Sequence, residues 1–291
     1  MPELPVGFVG LGRMGEPMVR RLAANGVAVR GHDAAPGVAQ RLSDVLTPVG
    51  SAAEAAEGVQ VVILMLPDSD VVEKVVEDVV GDLRAGTVLV DMSSSEPLRT
   101  RALATRLAER GVTLVDAPVS GGVSGARAGT LTIMVGGPAD EVRRLTPLLG
   151  HMGRVRHVGG VGAGHALKAL NNLMSAAHLL ASSEAILAGE RFGLDPAVIV
   201  EAVNGSSGRS GSTENKWPNY ILPGTYDSGF TAGLMVKDLR IALGLAEATR
   251  APTGLAARTV ELWAAAVDAL GPDSDHTEIA RWLREKGEGD R

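Results

Sequence analysis

The apolar positions of the chain follow two regimes. Over the first half, short apolar blocks at 6–9, 27–32, 59–66, 87–92, 113–118 and 130–135 alternate with helical repeats, notably 14–25, 69–80 and 97–110. The blocks are apolar nearly throughout instead of alternating with polar residues. That pattern is expected of strands covered on both faces in a parallel sheet. The β–α–β succession predicts an α/β, doubly wound, mostly parallel sheet over roughly the first 155 residues. The second half differs. Residues 164–191 run without proline, rich in Ala and Leu, with Gly only near the ends, and predict one helix of about seven turns. Further helical repeats cover 196–203, 234–248, 254–270 and 277–286, and no strand pattern appears after about 158. The domain reading is therefore 1–161 for the α/β part and 162–291 for an all-α C-terminal domain carried on a long inter-domain helix. Between two helices, residues 204–213 (Asn-Gly-Ser-Ser-Gly-Arg-Ser-Gly-Ser-Thr) form a polar loop, either a mobile loop at a site or a plain connection.

The first strand runs into Gly10-Leu11-Gly12-Arg13-Met14-Gly15, and a helix opens on it. A G-x-G-x-x-G run is weak alone. Between a strand and a helix it is the dinucleotide-binding, Rossmann-type turn. Gly10 permits the tight turn, Gly12 lets backbone approach a pyrophosphate, and Gly15 lets the helix pack on the strand. The helix N-terminus offers N–H groups and partial positive charge to phosphate. Asp33 ends the second strand, where a carboxylate binds ribose hydroxyls and repels a 2′-phosphate. The cofactor expected is NAD, with NADP possible because Arg30 and His32 lie close by in sequence. Ligands of such sheets bind at the carboxyl ends of the strands. Leu66-Pro67 and Ser93-Ser94 fall there.

Composition narrows the chemistry. There is no cysteine, so disulfides, thiolate nucleophiles and Cys-ligated metals are excluded, and no metal is expected. The net charge of −6 and the 3% aromatic content argue against a nucleic-acid partner. The N-terminus lacks a basic and then apolar leader. No apolar run approaches the ~20 residues of a membrane span. A cytoplasmic protein with no membrane partner is expected. Ala-rich helices bury little each, which points to an oligomer, a homodimer or homotetramer.

Two segments carry candidate chemistry. Asp116-Ala117-Pro118-Val119-Ser120-Gly121-Gly122 ends the fifth strand. A hydroxyl followed by two glycines can cradle a carboxylate, and fits a plain strand-ending turn equally well. In Gly162-x-Gly164-x-x-x-Lys168-x-x-Asn171-Asn172, Lys168 and Asn172 share a helix face. A Lys held in apolar surroundings has a lowered pKa and can act as general acid/base. Lys237-Asp238 reads first as an ordinary exposed ion pair.

Taken in order, Gly10-Leu-Gly-Arg-Met-Gly-Glu-Pro-Met18, Asp116-Ala-Pro-Val-Ser-Gly-Gly122, Gly162-x-Gly164-x-x-x-Lys168-x-x-Asn171-Asn172 and Lys237-Asp238-Leu239 resemble the β-hydroxyacid dehydrogenase family over essentially the whole chain. The resemblance implies an oxidoreductase that transfers a hydride between a small, 3-hydroxyisobutyrate-like hydroxy acid and the nicotinamide cofactor. It implies Lys168 as catalytic acid/base and Asn172 as its or the substrate's orienting partner. Ser120, Gly121 and Gly122 would bind the substrate carboxylate, and Lys237 would reach the nicotinamide end and the substrate. Leu66, Pro67, Val71 and Ser94 would contact NAD. Ser94 stands where the family often has Thr and keeps the hydroxyl. The loop at 205–212, with Arg209 and Trp217 near it, lies where the family varies with substrate. The rival readings are a sister semialdehyde or glyoxylate reductase, an L-serine-type dehydrogenase, and a non-catalytic NAD-binding protein.

Overall fold

The computed structural model describes residues 5–289 and divides into two compact units, 1–168 and 169–291. In the first, β1 (Val6–Val9), β2 (Val29–His32), β3 (Thr47–Pro48), β4 (Val61–Leu64), β5 (Val88–Asp91) and β6 (Thr113–Asp116) stand in the order β3-β2-β1-β4-β5-β6, all parallel. This is the doubly wound order. Strands β7 (Val119–Ser120), β8 (Leu131–Gly136) and β9 (Gly153–Gly159) extend it, with β8 antiparallel to β6 and β7.

The all-apolar strands have a simple cause. Val61 and Ile63 of β4 enter one apolar layer with Val88 and Val90, while Val62 and Leu64 enter the other with Leu89. Alternate residues point to opposite faces and both faces are covered. Helix α1 (Gly15–Ala24) covers the first layer through Met18, Val19 and Leu22. Helix α2 (Ala52–Ala56) covers the second through Ala55 and Ala56, helix α3 (Ser69–Val79) through Val72, Val76 and Val79, and helix α4 (Pro97–Ala108) through Leu103 and Leu107. Each Val or Leu so buried contributes about 1.5–3 kcal/mol relative to exposure. Helices α5 (Gly122–Ala128) and α6 (Ala139–Gly150) complete the unit.

Helix α7 (Ala163–Phe192) is 30 residues long, slightly longer than expected. With α8 (Pro196–Asn204), α9 (Ala232–Ala248), α10 (Gly254–Leu270) and α11 (Ile279–Gly289) it builds the helical unit. Its core contradicts the premise that Ala-rich helices have little to bury. Trp217, Trp263 and Trp282 are all buried there, packed with Ala176, Ala232 and Ala266, whose short side chains leave room for indoles. The polar stretch 204–213 is a hydrogen-bonded corner. Asn204 Nδ2 donates to the Thr213 carbonyl, and Ser210 and Thr213 exchange bonds. Ser212 opens a π-helix, Ser212–Ile221, that the periodicity does not predict.

Candidate active site

The glycine turn separates two kinds of constraint. A Cβ on Gly10 (φ +97°) would stand 2.2 Å from the Met65 carbonyl, and one on Gly15 would stand 1.9 Å from the Gly10 carbonyl. The fold itself forbids side chains at both. A Cβ on Gly12 would meet nothing within 4 Å. Glycine at 12 answers to space that a ligand needs, as close approach of a pyrophosphate requires. No side chain caps α1 at Met14, and within its first turn Glu16 N donates to the Gly12 carbonyl at 3.0 Å while Pro17 has no N–H. Arg13 sits on the same turn. Asp33 holds the turn in place: Oδ2 accepts from Leu11 N at 2.7 Å and Oδ1 from Ala35 N at 2.8 Å. Each carboxylate oxygen keeps a lone pair for a ribose hydroxyl. Arg30 Nη1 donates to the Glu57 carbonyl, and His32 Nδ1 lies 3.3 Å from the Val49 carbonyl. These residues fit an NAD(P) adenosine half.

Beyond β4 and β5, two loops are stitched together. Leu66 N donates to Ser93 Oγ at 2.9 Å, while Ser93 N and Ser95 Oγ bond the Asp91 carboxylate. Pro67 is exposed and Leu66 and Ser94 are half-buried. Val71 donates its N–H to the capping Asp68 of α3. All four predicted cofactor contacts of this region thus gather at the strands' carboxyl ends.

Ser120 ends β7, and Gly121 (φ +126°) and Gly122 (φ +62°) follow in backbone conformations that favour glycine. Just upstream, Asp116 is fully buried, and its carboxylate accepts from Gly162 N at 2.7 Å and His165 N at 2.9 Å. The first turn of α7 is therefore bonded to the tip of β6. Burial pushes the Asp116 carboxyl above its ordinary range, opposed by His165 and the two N–H bonds. Asp91 is its register partner on β5, and His165 Nε2 stands 3.7 Å from Asp91 Oδ2. His165 Nδ1 bonds Thr100 Oγ1 at 2.8 Å. Lys168, one helical turn past His165, is buried at 9% exposure.

One turn further along the same helix, Asn172 is buried, and its Nδ2 donates to Asp238 Oδ2 at 2.6 Å. Asn171 Nδ2 donates to Asn172 Oδ1 at 3.2 Å. Lys237 Nζ lies 3.6 Å from Asp238 Oδ1. The expectation of an exposed Lys237–Asp238 pair is corrected here, since Asp238 is 2% exposed and serves Asn172 as well. Sequence reasoning does not single out Asp91 and His165 in the first unit, or Asp238 as the partner of Asn172 in the second. A faint signal exists for the two strand-end aspartates: Val-Leu-Val-Asp91 and Thr-Leu-Val-Asp116 both close an apolar strand on a carboxylate. Trp217, placed near the variable loop by the sequence, belongs to the helical core at 1% exposure, while Arg209 is exposed.

Fold and glycine turn together define an NAD(P)-binding oxidoreductase. The family model described as "NAD binding domain of 6-phosphogluconate dehydrogenase" matches residues 5–162, and that described as "NAD-binding of NADP-dependent 3-hydroxyisobutyrate dehydrogenase" matches 162–283. The chain is 38% identical to the 3-hydroxyisobutyrate dehydrogenase of Pseudomonas aeruginosa over 97% of its own length and 99% of that protein's. It is 37% identical to the 2-(hydroxymethyl)glutarate dehydrogenase of Eubacterium barkeri, covering 90% and 88%. A solved structure of Mycobacterium tuberculosis 3-hydroxyisobutyrate dehydrogenase with L-serine superposes with a TM-score of 0.92 at 33% identity, covering 96% and 99%. The chain belongs to the β-hydroxyacid dehydrogenase family and is an NAD(P)-dependent dehydrogenase.

Proposed function

We propose that the protein reversibly oxidises a small β-hydroxy acid of the form HO–CH2–CH(R)–COO⁻, of which 3-hydroxyisobutyrate is the case R = methyl. The compounds named for its relatives, 3-hydroxyisobutyrate, 2-(hydroxymethyl)glutarate and L-serine, share this frame and differ in R. The observation that carries the reading is Lys168. It is buried, on a helix whose first turn is bonded to the sheet, and one turn before an asparagine held by Asp238.

Bound NAD supplies the hydride acceptor, so alcohol and NAD⁺ become aldehyde, NADH and one proton. Gly10, Leu11, Gly12, Arg13, Met14, Gly15 and Asp33 hold its adenosine and phosphate parts, and Leu66, Pro67, Val71 and Ser94 its other half. Ser120 with the N–H groups of Gly121 and Gly122 holds the substrate carboxylate. Neutral Lys168 accepts the hydroxyl proton as C–O becomes C=O, and returns it in the reductive direction, as a semialdehyde reductase would use it. Asn172 orients Lys168 or the substrate, and Lys237 reaches the nicotinamide end. NAD is preferred over NADP: Asp33 is followed by Ala34 and Ala35, and Arg30 and His32 are engaged with backbone carbonyls. Residues 1–161 form the cofactor-binding domain, which also carries the turn that holds the substrate carboxylate, and 162–291 form the substrate and self-association domain. The protein works in the cytoplasm as a homodimer or homotetramer. Exposed Phe192, Leu194 and Val198 support self-association, and no helix among the described residues is long and apolar enough to cross a membrane.

The test follows NADH absorbance with 3-hydroxyisobutyrate, L-serine, 3-hydroxypropionate, glycerate and glyoxylate. Lys168→Ala is expected to lose about 10²–10⁴-fold in kcat while NAD affinity survives. A variant that keeps its kcat refutes the assignment. No turnover with any compound despite tight NAD binding supports a non-catalytic NAD-binding protein instead.

A further inference from the structure

The π-helix Ser212–Ile221 carries one residue that the mechanism above leaves unused. Lys216 turns back onto α7 and donates from Nζ to Ser175 Oγ at 2.8 Å. Ser175 follows Lys168 and Asn172 at i+7 and i+3, so the three lie on one stripe of α7. The axial rise from Asn172 to Ser175 is about 4.5 Å, and from Lys168 about 10.5 Å.

The charge of Lys216 is poorly answered by the protein. Among the described residues no carboxylate lies within 4 Å of its ammonium, and its one bond is to a neutral hydroxyl. Asp275 acts on it only at longer range, and that carboxylate already accepts from Ser228 Oγ, Gly229 N, Thr277 N and Thr277 Oγ1. The neighbouring His276 imidazole is held neutral by burial and by the Lys216 charge. Burial pushes the Lys216 ammonium itself down to about 8. A half-buried cation with no counter-ion is costly to a fold. π-Helical segments are rare, and π-bulges are frequently found at functional sites.

We infer that Lys216 is a specificity-determining residue that receives an anionic group R of the hydroxy acid, so the preferred substrate is a hydroxymethyl dicarboxylate. The inference rests on the β-hydroxy acid reading above. With the reacting end at Lys168 and Asn172, an R of one or two methylenes and a carboxylate spans about 4–5 Å at ordinary bond lengths. That span matches the step along the stripe from Asn172 to Ser175. A methyl R leaves the Lys216 ammonium with its hydroxyl partner alone.

The experiment measures kcat/KM with NAD for 2-(hydroxymethyl)succinate, 2-(hydroxymethyl)glutarate and 3-hydroxyisobutyrate, in the wild type and in Lys216→Met and Lys216→Arg. NAD affinity and Tm serve as checks of folding. In the wild type the better diacid is expected to exceed 3-hydroxyisobutyrate by at least about 10-fold. In Lys216→Met that ratio falls by about 10- to 100-fold, through KM, as expected for losing a charged hydrogen bond. Lys216→Arg restores part of it. A wild-type ratio of one or less, or a ratio that Lys216→Met leaves unchanged, overturns the inference. Failure of every hydroxy acid to turn over refutes the parent reading instead, and calorimetry with NAD present then decides on Lys216 separately. Tighter binding of glutarate than butyrate that is lost in Lys216→Met supports it, and equal binding overturns it.

Discussion

Asp238→Asn isolates what the buried carboxylate does for Asn172. The wild-type bond, Asn172 Nδ2 to Asp238 Oδ2 at 2.6 Å, is charge-assisted and buried. An asparagine at 238 has two orientations. One sets its amide NH2 against that of Asn172 and loses the bond. The other keeps a neutral bond but turns an NH2 toward Lys237, whose Nζ stands 3.6 Å from the other carboxylate oxygen. Replacing a charged bond by a neutral one costs about 1–2 kcal/mol, or about 5- to 30-fold if Asn172 acts in the transition state. Steady-state kinetics with 3-hydroxyisobutyrate and NAD should show this loss in kcat, with the KM for NAD unchanged. Thermal unfolding should show a stability loss of the same size. A variant that loses the stability yet keeps kcat within about twofold refutes the reasoning, because the bond would then serve only the fold.

Gly12→Val should leave Tm within about 2 °C, as for a side chain entering open space, while NAD affinity falls at least about 10-fold as the pyrophosphate is excluded. Gly15→Ala should instead destabilise by about 1–3 kcal/mol or more, since its Cβ meets a backbone carbonyl; denaturant melts of the two variants separate the cases. The wild type should favour NAD over NADP in kcat/KM by more than about 10-fold, and equal values contradict the role given to Asp33. Burial and the nearby Lys216 cation push the His276 imidazole down to about 4 from the ordinary 6.5. Between those values the unfolded chain binds a proton that the fold refuses, so stability falls as pH drops from about 6.5 to about 4. The Tm difference between wild type and His276→Gln should narrow toward acid, and a constant difference refutes this.

Where the fold was legible, the signal was local. The β1–turn–α1 unit and α7 were readable because strand apolarity, glycine spacing and helical repeat all lie within a few consecutive residues. Strands β3 and β7 span two residues each, too few for a period. Strand β9 carries Arg154 and Arg156 at an edge where charge is tolerated, so it has no apolar block. The π-helix has a repeat that a helical template does not match. The same logic divides the site. Lys168 and Asn172 share one helix turn and were visible together. The carboxylates that anchor their helix, Asp116 at a separation of 49 from His165 and Asp238 at 66 from Asn172, meet it only through the tertiary fold. Reading Lys237-Asp238 as a surface pair failed because dipeptide composition carries no burial.

The crowding of indoles into the helical unit makes the chain its own two-channel reporter. Trp217, Trp263 and Trp282 are the only tryptophans, and all lie beyond residue 168. Tryptophan emission during denaturation therefore follows the helical unit, while release of bound dinucleotide follows the sheet. If the two units melt as one, the transitions superimpose. If they separate, the offset between emission and cofactor release measures how much stability each half holds by itself.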